Sequence, residues 1–178
     1  VIGVVLLNYS KPKAKEEVVQ DVRTDTENVT FVDKATEAKI IAESKKIGSK
    51  LPLPTECADS NTDFDCYNTY YTALIKQKGV AYAFLDLKKR YDKNGYVRSQ
   101  CHPLTHVIGR VATTIYPEVS DAYAHGDPLC WSGYYHGVME GIIGKISAME
   151  LPNKISGICA NIPGKSVYSF DYYNCVHG

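Results

Sequence analysis

Apolar residues recur at helical spacing through most of the chain beyond its first third. Leu104, Val107, Ile108, Val111 and Ile115 keep the i, i+3, i+4, i+7 rhythm of one buried stripe and predict a helix over 103–116. At about 100° per residue, His106 and Thr113 fall on its opposite side, flanked by Gly109 and Arg110. A second helix is predicted over 131–149. Tyr135, Val138, Met139, Ile142, Ile146 and Met149 share one face, and Gly133, Gly137, Gly141 and Gly144 gather on another.

The same reading places a helix over 34–47 that ends at Gly48. Another runs over 63–78, with Tyr67, Tyr70, Tyr71, Leu74 and Ile75 inward, and Gly79 ends it. A third, over 80–91, aligns Val80, Phe84, Leu87 and Tyr91, before a turn at 92–95. Short helices are expected at 119–124 and from Pro152 to Cys159. Residues 161–165 read as loop, and 167–173 alternate aromatic and polar side chains. One short strand is expected at 28–32. The fold class is therefore all-α: an antiparallel helical array. Cysteine followed by histidine recurs in three segments, an echo of degenerate helical-hairpin repeats.

Domain organisation follows from the breaks. V-I-G-V-V-L-L reads as the last part of a longer apolar segment, a signal peptide or membrane anchor, with a first β-strand as the competing reading. Residues 1–10 are assigned to that segment, 11–50 to a tether carrying one helix, and 51–178 to a helical Cys/His domain. Leu51-Pro52-Leu53-Pro54 marks the linker. The closing N-C-V-H-G reads as a motif that continues beyond Gly178.

Charge changes this picture little: 20 basic and 20 acidic residues give no net charge, and no basic stripe points to nucleic acid. Cysteine changes it more. Six cysteines fit three disulfides in a chain outside the cytosol. Proximity in sequence favours Cys57 with Cys66, Cys101 with Cys130, and Cys159 with Cys175. Asn8-Tyr9-Ser10 and Asn28-Val29-Thr30 match the glycosylation pattern, which agrees with export. The competing reading is a cytosolic protein with reduced thiols, some of them zinc ligands.

The candidate chemistry lies in C-H-P-L-T-H-V-I-G-R and C-W-S-G-Y-Y-H-G-V-M-E-G. His102 and His106 are four apart, the spacing at which side chains meet on a helix. Pro103 suits a first helical position, which makes His102 a cap residue. His136 and Glu140 are also four apart, beside the glycine face. Each glycine inside a helix costs roughly 0.5–1 kcal/mol relative to alanine. Such a cluster implies a groove for another backbone or a ligand. Imidazoles and a carboxylate at these spacings suit zinc, with iron or copper as alternatives. The candidate ligands are His102, His106, His136, Glu140 and His177, while His125 at its turn is a poorer candidate. A glycine-mediated helix crossing with histidines bonded to carbonyls explains the glycines equally well.

Together with N-C-V-H-G, these two segments resemble a group of uncharacterised, exported, all-helical proteins of microbial genomes, over about residues 57–178. The resemblance implies an all-helical domain and a further Gly-His after Gly178; it carries no activity. A more distant likeness is to the α/α-toroid cyclases, where cysteine and histidine at helix ends hold a catalytic zinc, but the spacing here differs from theirs.

The functional expectation is an extracytoplasmic, membrane-tethered domain that binds a transition metal. A metal-dependent hydrolase is the reaction class if it is an enzyme, with Glu140 as base or ligand. The alternative is a non-catalytic accessory or scaffold subunit of a membrane or surface assembly, with protein partners.

Overall fold

The structure, a computed structural model, describes residues 32–47, 52 and 54–178. The apolar segment at 1–10, the tether before residue 32, nearly all of the expected strand at 28–32, and Asn8 and Asn28 lie outside the described residues.

Among the described residues the fold is entirely helical. The α-helices are α1 (Lys34–Lys46), α2 (Phe64–Lys78), α3 (Val80–Lys93), α4 (Gly95–Ser99), α5 (Cys101–Ala112), α6 (Val119–Ala124), α7 (Gly133–Ile143), α8 (Leu151–Ile158) and α9 (Phe170–His177), with a 3-10 turn at Lys165–Val167. No helix among them is long and apolar enough to cross a membrane.

Local chemistry sets the ends. Asp33 caps α1 by accepting from the amides of Ala35 and Thr36 at 2.9 and 3.0 Å. Gly79, at φ 86°, ends α2 and opens α3 in a backbone state that suits glycine alone. Asn94 accepts from the Val97 amide and donates to the carbonyl of Asp59, so one cap also ties the Cys57–Cys66 loop to the body.

The core lies between α2, α3, α5 and α7. Tyr67, Tyr71, Leu74, Ile75, Val80, Leu87, Leu104, Val107, Ile108, Tyr134 and Val138 are all buried in it. The predicted stripe of α5 thus faces inward as far as Ile108, while Ile115 lies beyond the helix and is exposed. Gly109 and Thr113, expected on the outer side, are buried as well. α5 is covered on two sides, by α2 and by α7, and α5–α7 is the most extensive helix pair described.

The glycines make that pairing. A Cβ on Gly137 would collide with the His106 carbonyl and lie 2.7 Å from its Cα. One on Gly109 would collide with the Tyr134 carbonyl and lie 2.7 Å from the Val138 nitrogen. Real side chains do not come so close to a backbone, so the glycines are what let the two helices touch.

Three disulfides brace the array: Cys57–Cys66, Cys101–Cys130 and Cys159–Cys175. All six cysteines are joined, which suits an oxidising compartment and leaves no thiol as a zinc ligand. α1 packs on α3, where Lys89 bonds Glu37 at 2.5 Å.

Four boundaries differ from expectation. α5 begins two residues before Pro103, because proline at a third helical position forfeits only an amide with no intrahelical partner. α7 stops at Ile143, capped by Gly144, and Met149 is exposed. Glycine weakens the helix there, and Lys145 donates to the Thr113 carbonyl at 2.6 Å, turning the chain back to the end of α5. The 92–95 turn runs straight into α4, which Asn94 caps. The last segment forms α9, started by the Ser169 cap and held by Cys175.

Candidate metal centre

The α5–α7 crossing brings His102, His106 and His136 to one place. One ring nitrogen of each lies within 4.8 Å of the other two, and all three rings are half-buried. His102 sits within the first turn of α5, so it and His106 form a true i, i+4 pair. Their Nε2 atoms are 3.2 Å apart. Two imidazole ligands on tetrahedral zinc, with bonds near 2.05 Å, sit roughly 3.3 Å apart.

Hydrogen bonds on the far side of each ring decide which nitrogen is free. His102 Nδ1 lies 3.0 Å from the main-chain oxygen of Cys130. A carbonyl only accepts, so Nδ1 carries the proton. His106 Nδ1 donates in the same way to Glu140 Oε1 at 2.7 Å. With both rings neutral, both Nε2 atoms therefore present lone pairs toward each other. Two lone pairs at this distance repel unless a cation or a shared proton lies between them.

His136 comes from α7 one residue before Gly137, whose missing side chain opens the way to α5. Its Nε2 is buried and has no hydrogen-bond partner among the described residues. Burial, reinforced by the neighbouring imidazoles of His106, His102 and His177, holds its pKa below the ordinary 6.5. The ring is thereby kept in the neutral form that a metal requires.

Glu140 stands behind His106. Its Oε1 accepts from His106, and its Oε2 accepts from Arg110 Nη1 at 2.6 Å. Burial pushes its carboxyl up, but these bonds and charges outweigh that and hold it below its ordinary 4.5. The carboxylate–histidine arrangement is the one that orients metal-bound imidazoles.

His177, on α9, places its ring 5.6 Å from that of His136 and stacks on Tyr173; it lies beside the three-histidine group rather than in it. His125 is apart, stacked on Tyr116 at 3.9 Å with Nδ1 donating to the Asp121 carbonyl.

The sequence gives no sign of the Cys130 carbonyl, because main-chain oxygens leave no residue signature. Only the disulfide to Cys101, one residue before His102, hints at it. Cys130 and Trp131 both adopt left-handed backbone, φ 55° and 64°. Such a state costs a non-glycine residue about 1–3 kcal/mol, and it tends to persist where surrounding structure enforces it at functional sites. Gly133 follows, where a Cβ would lie 2.7 Å from the His102 carbonyl. Beyond His136, an apolar hollow of about 330 Å³ runs between α7, α8 and α9, lined by Met139, Ile143, Cys159, Tyr172 and Gly178.

No protein-family model, curated protein or solved structure matches this chain.

Proposed function

We propose that this is an extracytoplasmic helical domain that binds a transition metal, zinc first, through His102, His106 and His136. One observation carries the reading. Two imidazoles on one helix have their Nδ1 atoms engaged by Cys130 and Glu140 and their Nε2 atoms 3.2 Å apart, so that in the neutral rings two lone pairs face one another. Without a cation or a shared proton that geometry is repulsive. With zinc it is close to the required bite.

Three histidines leave a fourth coordination position for water, whose pKa on zinc falls towards about 7. Metal-assisted hydrolysis is the chemistry such a centre supports. Glu140 then orients His106, since both of its oxygens are engaged, rather than serving as ligand or base. His177, whose ring lies 5.6 Å from that of His136, borders the centre. The three disulfides support export, and the V-I-G-V-V-L-L segment supports membrane tethering.

A second reading is contact with protein partners as an accessory subunit. Its support is the run of exposed apolar side chains Val167, Tyr168, Phe170, Tyr173 and Val176 on and beside α9.

The test is metal content by mass spectrometry on protein purified without chelator, followed by zinc titration. Stoichiometric metal is expected in the wild type. His106→Gln with His136→Gln should abolish it while helicity persists. A wild type that neither carries metal nor binds added zinc, cobalt or copper ends the metal reading and leaves a glycine-mediated crossing with a shared proton.

A further inference from the structure

We infer that the Cys101–Cys130 disulfide positions the metal centre through the main-chain carbonyl of Cys130, so that metal affinity depends on that one bond being intact. The inference rests on the metal-binding reading above. Cys101 opens α5 directly before His102, and its partner Cys130 supplies the oxygen 3.0 Å from His102 Nδ1. The disulfide thus joins the two sides of the hydrogen bond that leaves His102 Nε2 free.

The corner that carries this oxygen is anchored on one side by Leu129, which is buried and whose amide donates to Asp127, but its next two residues are in an uncommon backbone state. Cys130 and Trp131 are consecutive left-handed residues without the freedom of glycine. Trp131 is 80% exposed, so its own side chain does not hold it there. A main-chain bond from the Trp131 amide to the Pro128 carbonyl closes the turn, and the disulfide anchors it to α5. Once the bond is cut, the corner relaxes toward ordinary backbone and its carbonyl turns away. His102 then loses the acceptor that fixes its tautomer and ring plane. The Thr105 hydroxyl still donates to the His102 carbonyl at 2.7 Å, but that holds the backbone and not the ring.

The same geometry makes the centre sensitive to reduction. A dithiol would deliver two electrons and two protons, open the bond to two thiols, and close to its own disulfide. Cys57–Cys66 serves as an internal comparison. It braces the start of α2 beside Arg90, whose Nη1 donates to the Cys57 carbonyl, and it hydrogen-bonds no histidine.

The test compares three proteins, using zinc as the probe. The first variant is Cys101→Ser with Cys130→Ser, chosen over chemical reduction because freed thiolates would themselves bind zinc. It should bind zinc about 10–100-fold more weakly than wild type, the range seen when a group orienting a ligand is lost. Cys57→Ser with Cys66→Ser should keep wild-type affinity. Trp131→Pro retains the disulfide but forbids a positive φ at 131 and removes the amide that bonds the Pro128 carbonyl, so it should reproduce the loss by turning the Cys130 carbonyl away. It tests the carbonyl separately from the disulfide; if the double serine variant does not fold by circular dichroism, Cys101→Ala with Cys130→Ala replaces it, with the same loss expected.

The second readout needs no metal. Nitrogen-15 NMR of metal-free protein, with His102 assigned by its absence in His102→Gln, should show the proton on Nδ1 in wild type and its redistribution to Nε2 in the variants. Unchanged affinity and tautomer in the folded variants would overturn the inference. So would a wild-type His102 protonated on Nε2. If wild type binds no zinc, the metal reading falls by itself, and the tautomer comparison still decides whether the disulfide positions the ring.

Discussion

His106, on α5, donates its Nδ1 proton to Glu140 on α7 across the glycine crossing, at 2.7 Å. The two residues are 34 apart in the chain and on different helices. Their meeting is what turns His106 Nε2 inward. Glu140→Ala should therefore weaken zinc binding by about 10–100-fold with the fold intact. Glu140→Gln should weaken it less, because an amide oxygen still accepts from Nδ1. Calorimetric titration of both variants checks the order. Equal affinity in Glu140→Ala and wild type would remove Glu140 from the centre.

The glycine crossing predicts an asymmetry among alanine substitutions. At Gly137 an added Cβ meets the His106 backbone, which no rotamer change relieves. Gly137→Ala should destabilise by about 1–3 kcal/mol or more in urea unfolding, and should loosen zinc binding as α5 and α7 separate. Gly157, inside α8, has nothing within 4 Å of its would-be Cβ. Gly157→Ala should stabilise by roughly 0.5–1 kcal/mol. A crossing that tolerates Gly137→Ala as well as α8 tolerates Gly157→Ala would contradict the packing described.

Acid should act in two steps on the metal-free protein. His136 has its pKa depressed below 6.5, so between that lowered value and 6.5 the unfolded chain binds more protons than the folded one. Stability then falls as pH drops through this window and levels off below it. Glu140 is depressed below 4.5, so its contribution is complete above 4.5 and is lost as pH falls through the folded value. Melting temperature against pH should show both falls in wild type, and His136→Gln should lack the first. Zinc affinity should decline in the same acid direction, since imidazoles bind as neutral rings. Superimposed melting curves for wild type and His136→Gln from neutral pH to about 5 would refute the first step.

A polar cluster between α2 and α3 carries its own prediction. Asp86 accepts from Tyr70 and Tyr71 at 3.1 and 3.2 Å and from Arg90 Nε at 2.8 Å. The Arg90 and Asp86 side chains are only 11% and 18% exposed, but Arg90 also pairs with Glu56 at 2.9 Å, so removing Asp86 leaves the guanidinium one partner and both tyrosine hydroxyls without their acceptor. Asp86→Ala should cost about 1–3 kcal/mol in urea unfolding. Zinc affinity of the folded fraction should not change, because the cluster touches none of the three histidines.

Helical spacing of Leu104, Val107 and Ile108, and of Tyr67, Tyr71 and Leu74, determined the all-helical class and the inward faces of α5 and α2 from the sequence alone. Periodicity is a local property, and burial follows it. Six cysteines with near neighbours made local pairing the simplest arrangement, and the glycine run announced a close approach. The partner in that approach was not legible. It took the crossing of α5 and α7 to show that Gly137 faces the His106 backbone and that Thr113 is buried. Tertiary structure also decided that His102 is helical despite Pro103, that α7 ends at Gly144, and that α9 exists. The end of α7 and the docking of α9 depend on a bond to another segment, Lys145 to the Thr113 carbonyl and Cys175 to Cys159. The centre divides in the same way. His102, His106 and His136 are readable as residue types at helical spacing. The roles of Glu140 and the Cys130 carbonyl are not, because a hydrogen bond across 28 or 34 residues leaves no pattern in the order of the amino acids.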